Sequence, residues 1–267
     1  MRPIFIKKDL KEASVSLLGQ FPDQSHFTTT VSADAKVIAP DGQVIAIFLH
    51  QVIPGKLHQR GYELWKSVDG LVSNRATALG TKSLPRSINR DGTPSPRSGV
   101  NVRVLGVTQA RQGNLGYFGR DLRQTTLSVK RAEMLDGNRQ LIELTDELYL
   151  KHAPLLYASQ LAVVKNASRF RLWNTAFTTI YLAKNFRTAY HLDSGNLRGV
   201  MSALLPTGRF TGGELLLPRW RLAFALKPGD VLLFDPQQIH GNLPIKGDRI
   251  SAAFFCASQA LKVRNSI

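Results

Sequence analysis

His191 and Asp193 stand two residues apart in TAYHLDSGNLRGV, residues 188–200. In an extended strand, residues i and i+2 project to the same face, so this imidazole and carboxylate can aim at one ion. Mixed nitrogen and oxygen ligands with open positions suit Fe(II), and two histidines with one carboxylate make the facial triad of non-haem iron sites. The chain has six histidines, and only His240 lies C-terminal to His191 among β-rich runs. It follows GDVLLFDPQQI, 49 residues beyond His191. Four short strands and their turns fit that interval, which is what a closed β-structure needs to bring the two rings together. The expected metal and catalytic residues are therefore His191, Asp193 and His240.

A facial triad leaves three positions of an octahedral ion open. In 2-oxoglutarate-dependent oxygenases the keto acid takes two and dioxygen the third, and the far carboxylate of the keto acid needs a cationic fork. Arginine binds carboxylates bidentately. Arg249 lies nine residues after His240 and opens the run RISAAFF, and Ser251 shares its face and can donate a second hydrogen bond. Asn185 and Arg187 have the same parity as His191, so a regular strand places them on the site as well, against the near carboxylate or the oxygen. A lone His-x-Asp is most often a hydrogen-bonded turn and a lone strand-end histidine is most often structural. All five residues in this order among strands are far more specific than any one of them.

The elements that must position these residues are legible as patterns. AKVIAPDGQVIAIFL (35–49) predicts a hairpin, with Asp41-Gly42 supplying the tight turn. Residues 55–72 predict a helix, and 138–166 predict two helices split where Pro154 begins the second. After Phe170 short apolar runs follow one another: FTTIYLA, VMSALL, ELLL, LAFAL, VLLFD and RISAAFFC. Turn signals at Pro206-Thr207-Gly208, Gly212-Gly213 and Pro228-Gly229 separate them, a texture that predicts a sandwich or barrel.

The run FTGGELLLPRWRLAFALKPGDVLLFDPQQIHGNLPIKGDRIS resembles the core of the Fe(II)/2-oxoglutarate dioxygenase superfamily. The likeness spans about residues 170–260. Within it, NTAFTTIYLAKNFRTAYHLDSGNL is most similar to the TET and J-binding-protein family, with fainter likeness in RSGVNVRVLG and LGYFGRD. The resemblance implies an α+β fold with a double-stranded β-helix (jelly-roll) core flanked by N-terminal helices. It implies one dioxygenase domain over 1–267, with support in 1–166 and the catalytic core in 167–260. The implied cofactors are Fe(II) and 2-oxoglutarate, with ascorbate as reductant in vitro, and the implied reaction oxidises the 5-methyl group of a pyrimidine in DNA. Animal TET proteins carry cysteine-rich zinc-binding segments, and this chain has one cysteine, Cys256, so the likeness is to compact microbial, protist or phage members.

Charge agrees with a polyanionic partner. The chain has 35 Lys and Arg against 19 Asp and Glu, a net +16. Between Arg75 and Arg131 eleven cations face only Asp91 and Asp121. A basic DNA-binding loop is expected over 73–131, with Arg86, Arg90 and Arg97 on phosphates. A methyl group stacked in a duplex cannot reach iron inside a barrel, so a DNA substrate implies base flipping. Asn196, three residues past Asp193, is a candidate for the base edge, with a local turn as the rival reading. One cysteine excludes an internal disulfide and a cysteine-based zinc cluster. No apolar run reaches the roughly 20 residues of a membrane span, and no signal peptide is evident. The expectation is an intracellular monomer with DNA as partner and no membrane. The rivals are a 2-oxoglutarate dioxygenase acting on RNA, protein or a small molecule, and a catalytically silent DNA-binding protein on the same barrel.

Overall fold

The computed structural model describes residues 1–67, 71–73, 78, 87–88, 94–95, 98–100, 102–111 and 118–263. In the first half of the chain the main strands are β1 (Arg2–Phe5), β2 (Thr29–Val31), β3 (Ala35–Ile38), β4 (Val44–Leu49), β5 (Val102–Arg111) and β6 (Phe118–Gln124). The main helices are α1 (Gly55–Trp65), α2 (Arg139–His152) and α3 (Pro154–Asn166). The second half supplies β7 (Thr179–Lys184), β8 (Ser202–Gly212), β9 (Leu215–Leu217), β10 (Leu222–Phe224), β11 (Val231–Phe234), β12 (Gly241–Asn242) and β13 (Ile245–Phe255).

A nine-stranded sheet runs in the order β1-β3-β4-β11-β8-β13-β7-β5-β6, and a four-stranded sheet in the order β12-β9-β10-β2. The alternation of strand residues sends two apolar sets to opposite faces of the large sheet. Ile47, Leu49, Leu105, Ile180, Leu182, Ile250, Ala252 and Phe254 pack with Trp65, Leu141, Ile142, Tyr149 and Phe177, beneath the helices. Val37, Ala46, Phe48, Leu204, Leu232 and Phe234 face the small sheet and meet Val31, Leu215, Leu217, Leu222 and Phe224. The expected jelly-roll core flanked by helices is what the chain builds.

The hairpin at 35–49 forms, with β3 and β4 antiparallel. The paired helices form too, broken at Ala153 with Pro154 as the first residue of α3. Three expectations need correcting. The helix expected over 55–72 stops at Trp65. Residues 102–111 and 118–124 are a two-stranded extension of the large sheet rather than loop, because Val102, Leu105, Val107 and Leu122 are buried. Pro206-Thr207-Gly208 is not a turn, since β8 runs through it and pairs with β13 from Ala203 to Gly212. Its other edge pairs with β11 only from Ser202 to Leu204, so Pro206 sits where no partner strand asks for an N–H. At Gly208 a φ of +101° kinks the strand, and a Cβ there would lie 2.2 Å from the Asp248 carbonyl oxygen.

Candidate metal centre and active site

The regular strand β7 ends at Lys184, and Asn185 adopts a left-handed φ of +50°. The chain then turns to run beside residues 240–242. The His191 and His240 backbones exchange hydrogen bonds of 2.9 and 3.0 Å, and the Asn242 N–H donates to Thr188 O at 3.2 Å. Because β12 is the edge of the small sheet, segment 188–191 extends that sheet by one irregular strand. This brings two histidines 49 residues apart into register, with ring centroids 4.3 Å apart.

Asp193 completes the cluster. Its carboxylate oxygens lie 3.6 Å from His191 Nε2 and 3.7 Å from His240 Nε2. One ligand atom from each of the three residues falls within 4.8 Å of the others. Each imidazole is oriented by its far nitrogen. His191 Nδ1 lies 2.8 Å from Ala189 O, and His240 Nδ1 lies 2.8 Å from Gln238 O. A carbonyl only accepts, so Nδ1 carries the proton and the lone pair is on Nε2, the atom turned toward Asp193. That is the tautomer a metal requires.

The loop that presents Asp193 is itself tied down. Its N–H donates to Pro236 O at 3.0 Å, and Gln237 Nε2 donates to its carbonyl at 2.9 Å. Behind His240, the buried Gln238 side chain accepts from the Trp220 indole N–H and donates to Ile45 O at 3.2 Å. Ala189, whose carbonyl orients His191, has its own N–H bonded to Ala78 O at 2.8 Å. Sequence reasoning missed Gln237, Gln238 and Ala78. The pair of glutamines in DPQQIH was the available signal, since polar side chains beside a ligand are the natural source of its support.

Arg249 and Ser251 lie on β13, on the face opposite Ile250, Ala252 and Phe254, and so look between the two sheets. Arg249 is 3% exposed. Its guanidinium donates to Gly213 O at 2.6 Å and lies 5.1 Å from the centre of the Phe210 ring. Nε has no hydrogen-bond acceptor among the described residues. Burial pulls its pKa down to about 10, against a weaker opposing pull from Glu214. Gly213 makes room for it: a Cβ there would stand 2.3 Å from the Arg249 nitrogen. A buried cation with an unsatisfied donor is a fitting receptor for a carboxylate, so the residues present suit 2-oxoglutarate as the triad suits iron.

The remaining expected site residues fall elsewhere. Because the strand ends at Lys184, parity does not carry Asn185 and Arg187 onto the face of His191. Asn185 instead accepts from the Arg249 backbone N–H at 2.7 Å, bracing the strand that carries the cation. Arg187 donates to Pro22 O at 3.0 Å and stacks over Phe21. Asn196 is 5% exposed and its amide donates to Ser202 Oγ at 3.1 Å, which turns it inward, away from any base edge. Arg86, Arg90 and Arg97 lie outside the described residues.

The sequence profile of the Tet/JBP family, described as the oxygenase domain of the 2OGFeDO superfamily, matches residues 119–258. This chain belongs to the Tet/JBP family. The matched stretch contains the triad, Arg249 and Ser251. Among Tet/JBP relatives, the bifunctional helicase and thymine dioxygenase JBP2 of Trypanosoma brucei brucei is 31% identical over 229 residues, covering 80% of this chain and 18% of its own length. JBP2 of Leishmania tarentolae is 37% identical over 157 residues, 54% of this chain and 14% of the relative. The chain thus spans less than a fifth of the length of these relatives. NgTET1, solved in complex with 5mC DNA, shares the fold at a TM-score of 0.56 and 16% identity, over 95% of this chain and 93% of that one.

Proposed function

We propose that this chain is an Fe(II)- and 2-oxoglutarate-dependent dioxygenase that oxidises the 5-methyl group of a pyrimidine in DNA, with thymine the favoured base. The observation that carries the chemistry is the convergence of three ligand atoms on histidines whose tautomers are set for metal, together with a buried arginine lacking a carboxylate. The choice of thymine rests on the names of the relatives at 31 and 37% identity, against 5-methylcytosine for a structure at 16%.

His191, Asp193 and His240 would hold the iron, and Arg249 with Ser251 the distal carboxylate of the keto acid. Iron and 2-oxoglutarate bound there supply the activation of dioxygen that side chains cannot. The chain contributes direction. The His240 side chain is 6% exposed and that of Arg249 is deeply buried, which makes this the closed side. Those of His191 and Asp193 are 12 and 22% exposed, which makes theirs the open side. Arg249 would hold the keto acid on the interior side, leaving the side of His191 and Asp193 for the substrate methyl to approach. A base stacked in duplex DNA cannot make that approach, so it must be turned out of the helix.

The test is nucleoside mass spectrometry after incubation with Fe(II), 2-oxoglutarate, ascorbate and duplexes containing either thymine alone or added 5-methylcytosine. Formation of 5-hydroxymethyluracil, abolished in His191→Ala, is the expected result. Formation of 5-hydroxymethylcytosine only would move the base assignment. Unmodified DNA with iron bound and succinate released would move the substrate outside DNA.

A further inference from the structure

The loop that presents the partly exposed Asp193 packs through Leu197 onto an apolar cluster whose surrounding sequence is poor in acids. Between Glu147 and Glu214 the only acidic residue is Asp193, a ligand, and after Asp248 there is none. Four segments from this acid-poor sequence and its neighbours pack together on one apolar cluster: Leu122 of β6, Val164 and Ala167 at the end of α3, Leu197 of the Asp193 loop, and Cys256, Ala257 and Ala260 after β13. The loop is stitched to the C-terminal segment by Leu197 N–H to Cys256 O at 2.8 Å and Ser258 N–H to Gly195 O at 2.9 Å.

Five buried members of the cluster have an exposed cation one or two residues away: Arg123 beside Leu122, Lys165 beside Val164, Arg169 after Ala167, Arg198 beside Leu197 and Lys262 after Ala260. With their neighbours turned inward, these side chains must project around the rim. Arg169 lies over the Phe170 ring. Arg123, Lys165, Arg198 and Lys262 form no ion pair among the described residues, whereas Lys66, Arg131, Arg139 and Arg219 elsewhere do. Arg198 follows Asp193 by only five residues.

We propose that this rim, Arg123, Lys165, Arg169, Arg198 and Lys262, is the track along which the phosphate backbone of duplex DNA lies when a base enters the iron site; the assignment rests on the function proposed above. Unpaired cations at a mouth release counterions from DNA on contact, and each phosphate so neutralised contributes about 0.9 to the slope of log affinity against log salt. The positions come from four separate segments, so no single stretch of sequence shows the patch.

The experiment compares two charge-matched quadruple variants. One is Arg123→Ala, Lys165→Ala, Arg198→Ala and Lys262→Ala. The other is Arg2→Ala, Lys7→Ala, Lys8→Ala and Lys11→Ala, whose exposed cations lie on and just after β1, at the opposite end of the nine-stranded sheet. Both lose four charges, so a general loss of positive field affects them alike. Binding to a fluorescent duplex is followed by anisotropy across a salt series, with iron affinity and circular dichroism reporting an intact fold. The rim variant is expected to lose about 3 units of salt slope, the control less than 1. Equal changes in the two, or none in the rim variant, overturn the assignment while leaving the proposed reaction standing. If the wild-type chain binds no duplex at all, the proposed function falls and this surface with it.

Discussion

Arg249 is a cation stored where water does not reach it, and that has a thermodynamic cost. Burial lowers its pKa from the usual arginine value to about 10. The unfolded chain therefore binds this proton more tightly than the folded one, so the penalty is present at every pH below about 10 and is relieved only above it. A carboxylate ligand reverses the sign by pairing the charge. Arg249→Met is thus expected to leave the unfolding midpoint of the ligand-free protein unchanged or raised. The same variant loses the roughly 2.7 kcal/mol of stabilisation that 2-oxoglutarate gives wild type at a hundred times its Kd. Carboxylate affinity in the wild type should stay level to about pH 9 and fall above 10. Thermal scans and titrations with 2-oxoglutarate check each part, and a strongly destabilised ligand-free Met variant would argue that the cation serves the fold instead. At this scale the structure brings together the three residues whose spacing named the triad and carries Arg249 and Ser251 on one strand, although Asp193 is held by a loop rather than a strand. Parity placed Asn185 and Arg187 on the site, and it has no way to register that the regular strand ends at Lys184 and Asn185 is left-handed. Asn196, placed by its nearness to Asp193 in sequence, turns inward onto Ser202.

Segment 235–240 shows how an irregular element holds a ligand. Gln238 fills its amide with two buried partners, the Trp220 indole N–H and the Ile45 carbonyl, while its backbone oxygen receives His240 Nδ1. The side chain anchors the peptide that sets the histidine tautomer. Gln238→Leu keeps the bulk and removes both bonds. It should lower affinity for Mn(II) or Co(II) by about 10-fold or more, the scale at which outer partners of metal-bound histidines act. Stability should drop by about 1–3 kcal/mol from the two stranded groups. Calorimetric metal titration of the folded variant separates the two effects, and unchanged metal affinity would reduce Gln238 to a packing residue. The hairpin at 35–49 and the break at Pro154 were legible because a turn dipeptide and a proline act locally. The path of β8 through Pro206 was not, since whether a proline is tolerated depends on which neighbouring strand needs its N–H.

At the scale of the molecule, the large sheet is not the property of the C-terminal third. β1, β3, β4, β5 and β6 come from the first 124 residues and flank the four later strands on both sides. Strand β4 pairs with β11 across more than 180 residues, a contact no local pattern encodes. This is why residues 1–166 read as support for a core when they supply much of it. The same architecture determines what iron does for stability. The two apolar layers lie on either face of the sheet, while the triad sits at the edge of the small sheet, with the Phe234 ring of the inner layer 5.1 Å from the His240 ring. Neither layer depends on the metal to close. Chelation is therefore expected to leave the far-ultraviolet spectrum intact and to lower the unfolding temperature only by the binding term. That term is about 2.7 kcal/mol at a hundredfold excess over Kd, or on the order of 5–10 °C for a domain of this size. Adding Fe(II) back should restore the midpoint fully. A chelated protein that lost its secondary structure would mean that the 188–193 segment, rather than the two cores, holds the sheets together.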